Sequence, residues 1–415
     1  MSGPNDEESR SPEARSTAQF AVLRELIATA KARAPGWTRQ LVGVDAEDVD
    51  DRQTLAALPV LRKSQLIELQ RAAPPFGGLT TCPAGEVDQI FQSPGPIYEP
   101  GMASPDWWRF ARALRAAGIG TGDILHNSFA YHLTPAGQMI ESGARALGVP
   151  VIPGGVGNSE AQTRAAAAIG ATAYAGTPDF LKTLLDKAGE LGLALRISKA
   201  LVSGGPLFPE MRAGYAEAGI ACLQCYATAD LGLVAYETPA AGGGPNPGMV
   251  VDEGVILEIV RPGTGIRVPD GEVGEVVVTS LNADYPLIRF ATGDLSAVLS
   301  GTSPCGRTGP RIKGWMGRAD QTTKVRGMFV RPEQVAEIVA RHAEVTKARL
   351  TVSREEDRDV MLLSVETAEP DPALPERLAQ TLRAVLGLAG GVTAIAPGSL
   401  PNDGKVIEDL RPIGQ

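Results

Sequence analysis

The chain has 415 residues, 43% hydrophobic and 21% charged, a globular composition too long for one core, so two or three packed units are expected. Its formal net charge of -9 argues against nucleic acid as the main partner, because phosphate contacts need clustered Lys and Arg; one anionic small molecule in a local basic site stays open. No apolar run approaches bilayer length, and four cysteines are too few for a disulfide framework, so a cytoplasmic protein without a membrane partner is expected.

The opening run MSGPNDEESRSPEAR is polar, lacks an apolar core or cleavage pattern, and reads as a disordered tail over residues 1–17. No internal repeat is visible. Ala171–Gly176 reads as a strand. Thr177-Pro178-Asp179 then supplies an N-cap, a proline at the first helical position and an early acid. Phe180, Leu181, Leu184, Leu185, Ala188 and Leu191 follow at helical spacing. A strand at Lys199–Ser203, a helix at Pro209–Ala218 and a strand at Ile220–Tyr226 come next, an order that argues for a parallel sheet with covering helices. Cys222 and Cys225 have metal or redox spacing, but residues three apart on a strand face opposite ways, so both read as buried structural thiols.

Val255–Val260 and Glu275–Ser280 alternate like strands and flank a Gly- and Pro-rich segment, a hairpin-rich β unit. A boundary falls near Gly317–Asp320. Beyond it lie a helix at Pro332–His342, paired strands around Lys347–Val352 and Val360–Glu366, and a helix at Pro375–Leu386, together a small α+β domain. The expected fold class is thus α/β: a large domain over residues 18–318 with a parallel sheet and a β-rich subdomain, and a small mobile domain over 319–415.

Four stretches carry chemistry. Gly204-Gly205-Pro206 ends one strand, at the carboxyl edge where ligands meet α/β sheets. Tyr226–Asp230 (YATAD) ends the next and puts a ring and a carboxylate at the same edge. Thr292-Gly293-Asp294, following Arg289, suits a diol, since one carboxylate accepts two hydroxyl hydrogen bonds. Gly404-Lys405 lies close to the C-terminus of the chain. Taken singly, these read as a tight turn, a capped loop, a type I turn and a solvated lysine.

In order and spacing, with Gly317-Arg318-Ala319-Asp320 between the third and fourth, the four resemble the adenylate-forming superfamily, and most closely its phenylacetate–CoA ligase branch. Leu58–Lys63 (LPVLRK), Tyr131–Thr134 (YHLT), Val151–Ser159, YPLIRFATGDL at 285–295 and GRADQTTKVRGMFVRP at 317–332 extend the likeness over most of the chain. The resemblance implies ATP-dependent activation of an aryl or arylacetic acid to an acyl-adenylate, then transfer to coenzyme A, with Mg2+ as cofactor. It implies that Tyr226 stacks on adenine, that Gly204, Gly205, Pro206 and Ala227 line the base, and that Asp294 holds the ribose hydroxyls with help from Arg318. Asp230 would bind magnesium, Lys405 would stabilise the charge on acyl carboxylate and α-phosphate, and Asp320 would be the hinge between domains. Tyr131, His132, Ala136 and Gly137 would line the acid site, small residues leaving room for a planar ring. On an apolar stretch His132 is as readily a hydrogen-bonded core histidine as a substrate neighbour.

Two departures from the family pattern stand out. The segment at the phosphate loop, Gln92–Pro100, carries three prolines and no lysine. Its phosphate contacts reduce to Ser93, Gly95 and a few amides, and Glu99 would repel a triphosphate if it faced inward. In YATAD the usual threonine is Ala229 and the usual glutamate is the shorter Asp230. Two rival readings follow: a catalytically impaired aromatic-acid or nucleotide-binding protein, and an adenylating enzyme with an acceptor other than CoA. Assembly as a homodimer is left open.

Overall fold

Between residues 125 and 228 short apolar runs alternate with helices, and the runs pair as strands of one sheet. The computed structural model describes residues 5–93, 95–319, 321–326, 328–355, 358–368 and 371–411. By packing, the chain divides into two units: Met1–Leu257 with Val278–Phe290 and Leu299–Gly314, and Glu258–Val277 with Ala291–Val298 and Trp315–Gln415. The second unit is therefore not one continuous segment beginning at residue 319; it takes in two earlier stretches, one of them bearing Asp294. Strands Val255–Val260, Gly274–Ser280 and Phe290–Ser296 have residues in both units.

In the first unit a hairpin of β1 (Gln89–Ser93) and β2 (Ile97–Gly101) precedes the main sheet. That sheet contains β3 (Leu125–Asn127), β4 (Val151–Pro153), β5 (Ala173–Gly176), β6 (Lys199–Val202), β7 (Ala221–Thr228), β8 (Gly232–Tyr236), β9 (Met249–Val251) and β10 (Arg311–Ile312). These adjoin in the order β10-β9-β8-β7-β6-β5-β3-β4. The run from β7 to β4 is parallel, and β8, β9 and β10 join it antiparallel. Helices Ala136–Ala146, Ser159–Ile169, Pro178–Glu190 and Pro209–Glu217 make the crossovers, as strand–helix–strand alternation requires. Pro178 opens its helix at the position where a missing N–H costs nothing, and Leu181, Leu184 and Ala188 are the buried face. Cys222 and Cys225 are free thiols on β7, packed into different clusters on the two faces of the sheet.

In the second unit β11 (Lys347–Glu355) pairs antiparallel with β12 (Arg358–Glu366), while β13 (Gly391–Ile395) and β14 (Ile407–Asp409) pair parallel at the outer edges. Helices Pro332–Ala340 and Leu374–Leu386 bury Val335, Ile338, Leu378 and Leu382 with Leu350, Val352 and Leu363 of this sheet. A separate small cluster joins Val273, Leu295, Ala297 and Ala319.

The expected disordered tail is ordered from Asn5 onward. Asn5 and Glu8 form a reciprocal capping box, and Pro12–Arg33 is one helix capped by Ser11. Glu8 accepts from Arg307 Nε at 2.6 Å and from the Tyr236 hydroxyl, and both charged side chains are only 3% exposed. Arg15 donates through Nε to Glu253 at 2.9 Å, also buried. The charged composition that suggested disorder is thus spent on partners some 240 to 300 residues away, a pairing that no local pattern displays.

Burial pushes the Glu8 carboxyl up, but hydrogen bonds from Arg307, Tyr236 and the Asn5 amide outweigh it and hold the group below the usual carboxylate range. A carboxyl lowered on folding contributes stability that is present above its unfolded pKa and is lost as pH falls through the folded value. Glu8→Ala should therefore destabilise the chain at neutral pH by roughly 3 kcal/mol, since it leaves Arg307 buried without its anion. Denaturant unfolding across a pH series should show the deficit shrinking below about pH 4; a deficit independent of pH would contradict the pairing.

Candidate active site

Parallel strands deliver their carboxyl ends to one edge, and three of the expected segments leave the sheet there. Gly204, Gly205 and Pro206 follow β6. Gly204 has φ of +74°, a conformation that favours glycine. The loop is fixed from both sides: Ser203 Oγ donates to the Cys225 carbonyl at 2.9 Å, and Gln224 Nε2 to the Gly205 carbonyl at 3.3 Å. Tyr226 and Ala227 lie on neighbouring β7, where the register with β8 shifts between them; the Tyr226 ring is buried.

Asp230 follows that strand, and its side chain is wholly removed from solvent. Lys63 Nζ donates to its Oδ2 at 2.6 Å. Lys63 opens helix Lys63–Ala72, and Gln70 of the same helix holds Tyr98 of β2 by two hydrogen bonds, donating to its carbonyl at 2.7 Å and accepting from its amide at 2.9 Å. The clasp seats the hairpin so that Glu99, next to Tyr98, points inward and is 1% exposed. Glu99 Oε1 accepts from Ser93 Oγ at 2.6 Å. Ser93, expected to donate to phosphate, thus already donates to a carboxylate of its own hairpin.

Gly95 has φ of +148°, and a Cβ there would lie 3.1 Å from Ile97 Cγ1, so the turn is built for glycine. Its neighbour Pro94 lies outside the described residues.

Three buried atoms in this part of the unit have no protein hydrogen-bond partner: Glu99 Oε2, Asp230 Oδ1 and the Tyr285 hydroxyl. Burial and then the Asp230 charge push the Glu99 carboxyl up to about 8, against Ser93 and Lys63, which act to lower it. Burial, followed by the charges of Asp230 and Glu99, drives the Tyr285 hydroxyl well above its ordinary value. Lys63 and Tyr285 sit inside the LPVLRK and YPLIRFATGDL runs, where local pattern gives neither a role. The signal that could have singled out Lys63 is a cation close to a motif whose phosphate loop has none.

The residues expected to line the acid gather at the end of β3. Asn127 Nδ2 donates to the Tyr131 hydroxyl at 2.8 Å and to the Gly137 carbonyl at 2.9 Å. A Cβ on Gly137 would lie 2.8 Å from both the Ala130 carbonyl oxygen and the Tyr131 ring, so the ring and the helix start fit only because that residue is glycine. Ala136, half-buried, opens the helix. The Gln92 amide donates to the Leu133 carbonyl at 2.8 Å, tying the phosphate hairpin to this loop. His132 is exposed and is not a core histidine. That part falls to His126, fully buried, with Nε2 2.8 Å from Gln162 Oε1 and the ring stacked on Tyr174.

In the second unit Asp294 is 8% exposed. Its Oδ1 accepts from Arg318 at 2.8 Å and from Trp315 Nε1 at 3.1 Å, and its amide is bonded to Thr292 Oγ1. Gly293, with φ of +75°, lets the Arg318 guanidinium lie against the backbone. Trp315 was missed; tryptophan just before the Gly317-Arg318 motif was its only sign.

Lys405 rides on a turn held by Gln321, which donates to the Gly404 carbonyl and accepts from the amides of Val406 and Ile407. Arg349 anchors the same turn through Asp403 and Glu408. The Lys405 ammonium is 2.7 Å from Glu408, and its side chain is 46% exposed. Asp320 lies outside the described residues.

Among the described residues no three His, Cys, Asp or Glu side chains gather to hold a metal, and no helix is long and apolar enough to cross a membrane. Asp230 still suits magnesium: its unpartnered oxygen is the hard donor that such an ion takes when phosphates supply the other ligands.

No family model matches the chain. It is 29% identical over 430 residues to the phenylacetate–coenzyme A ligase of Thermus thermophilus, covering 94% of this chain and 95% of that enzyme. It is 30% identical over 319 residues to the phenylacetate–coenzyme A ligase of Pseudomonas putida, covering 74% and 70% respectively. Among solved structures, 2-hydroxyisobutyryl-CoA ligase with 2-HIB-AMP and CoA in its thioesterification state superposes with a TM-score of 0.70 at 25% identity, over 99% of this chain and 94% of that one. Likeness over such lengths, on a sheet edge and an Asp–Arg pair arranged as described, means that the chain belongs to the phenylacetate–CoA ligase branch of the adenylate-forming enzymes.

Proposed function

We propose that this chain joins an aryl or arylacetic carboxylic acid to coenzyme A in two half-reactions. A carboxylate oxygen of the acid bonds to the α-phosphorus of ATP as the bond to pyrophosphate breaks. The CoA thiol then adds to the acyl carbon of the adenylate, gives up its proton, and AMP leaves. The split matters because a carboxylate is a poor electrophile and its mixed anhydride with AMP a good one. The observation that carries the reading is Asp294, a largely buried carboxylate held by guanidinium and indole donors, as a binder of paired ribose hydroxyls needs to be.

In this reading Tyr226, Ala227 and the Gly204–Pro206 loop receive the adenine. Tyr131, Ala136 and Gly137 line the acid, and the small residues beside the Tyr131 ring favour a planar ring. His132, being exposed, has its place at the mouth of that site. Asp230 would hold magnesium, which when bound would screen the phosphates. Lys405 neutralises charge growing on the α-phosphate, and the hinge is assigned to Asp320. One observation favours the rival of an impaired binding protein: Glu99 faces inward on a phosphate hairpin that has no lysine.

Lys405→Ala should slow adenylate formation by about 10²–10³-fold, the usual effect of removing one preorganised transition-state donor. Thioester formation from a preformed acyl-adenylate should change far less. Single-turnover assays of the two half-reactions check this, and equal losses in both would contradict the role.

Asp294→Ala should weaken binding of ATP and of acyl-adenylate analogues by about 2–4 kcal/mol, because a charged acceptor of two hydroxyls is lost. Calorimetry on the folded variant should show aryl-acid binding little altered. Unchanged nucleotide affinity would return Asp294 to the part of a turn residue.

A further inference from the structure

The hairpin that faces the phosphates brings a carboxylate where a cation is needed. Glu99 and Asp230 are 1% and 6% exposed, and each has one oxygen spoken for, by Ser93 and by Lys63, at 2.6 Å. Each also has a second oxygen with no protein partner, as does the hydroxyl of Tyr285, itself 2% exposed. The groups are electrostatically linked: the charges of Asp230 and Lys63 are felt by Glu99, and those of Asp230 and Glu99 by Tyr285. The clasp of Gln70 on Tyr98 fixes the helix of Lys63 to the strand of Glu99, so this grouping is built into the unit.

Buried polar atoms without partners are costly and call for an occupant. Two buried carboxyl groups, each with an oxygen that has no protein partner and with the Asp230 charge acting on Glu99, call for a cation beyond Lys63. A hard divalent ion suits them: it takes oxygen ligands and is commonly held by one or two carboxylates together with substrate phosphates. Without such an ion a triphosphate would meet carboxyl groups where the family pattern has a cation.

We infer that Glu99 and Asp230 together form a divalent-cation site, with the Tyr285 hydroxyl beside it, and that the metal does the work that a phosphate-loop lysine would otherwise do. The inference rests on the reading of Asp230 as a metal-binding residue and adds a second carboxylate, from the hairpin, to it. Lys63 holds Asp230 in the metal-free protein and is displaced toward phosphate when the ion enters. The inward carboxylate is then part of ATP use rather than a sign of its loss.

Electron paramagnetic resonance of Mn2+ with the full-length chain tests this without any turnover. Glu99→Gln should weaken Mn2+ binding, with and without α,β-methylene-ATP, by roughly tenfold or more, since one anionic ligand is removed. AMP binding should be unchanged. Asp230→Asn should weaken Mn2+ binding at least as much. Lys63→Met, measured without nucleotide, should tighten Mn2+ binding by about tenfold because the competing ammonium is gone; a gain of binding cannot arise from misfolding. Glu99→Gln with unaltered Mn2+ affinity would overturn the inference while leaving Asp230 as the metal residue, provided Asp230→Asn still loses the ion. If both variants keep it, the reading of Asp230 fails as well. Weaker Mn2+ binding in Lys63→Met would also overturn the inferred competition.

Discussion

Taking a carboxylate out of water costs several kcal/mol unless a cation meets it. The Asp230 side chain is entirely out of solvent, and Lys63 meets it at 2.6 Å. Much of the first unit is arranged around that pair. Lys63 begins a helix that clasps the hairpin through Gln70, the hairpin holds Glu99 inward, and the Gln92 amide ties the hairpin to the loop at Leu133. Segments near residues 63, 99, 132 and 230 are thereby held together by a few polar contacts.

The chemistry of acid activation divides naturally over such a scaffold. A base needs an apolar slot, and the carboxyl ends of parallel strands supply it where crossover loops diverge. A diol needs a fixed carboxylate, and Asp294 is fixed by donors from its own unit. Growing phosphate charge needs a mobile cation. In the proposed reading that cation is Lys405, half exposed and paired with Glu408 on a turn whose backbone is firmly anchored by Gln321 and Arg349. The family's lysine-bearing phosphate loop is replaced by a proline-flanked turn and an inward glutamate, so the phosphates must be managed by other groups.

Legibility in the sequence followed the range of the forces involved. The elements between Ala173 and Thr228 were readable because capping, helical spacing and strand length are local, and Pro178, Leu181 and Leu184 carry them within a few residues. The carboxyl-edge positions of Gly204–Pro206 and Asp230 followed from that order. The N-terminal segment misled because Glu8 and Arg15 find Arg307 and Glu253 far along the chain. His132 and His126 were not separable by hydropathy, since burial of His126 depends on Gln162 and Tyr174 from other strands and helices. Glu99 was visible as an anomaly, but its direction was not, because a hairpin's facing is set by Gln70 and by register across the turn. Trp315 and Lys63 needed the third dimension altogether.

Magnesium-dependent exchange of labelled pyrophosphate into ATP, run with benzoate, phenylacetate and indoleacetate on the unmutated chain, tests the central claim most directly. Acid activation through an adenylate is reversible before CoA enters, so exchange that appears only when one of these acids and magnesium are both present is the result the account predicts. Calorimetric binding of the same acids with no exchange for any of them would contradict it, and the chain would then be a binder of aromatic acids that has lost the use of ATP.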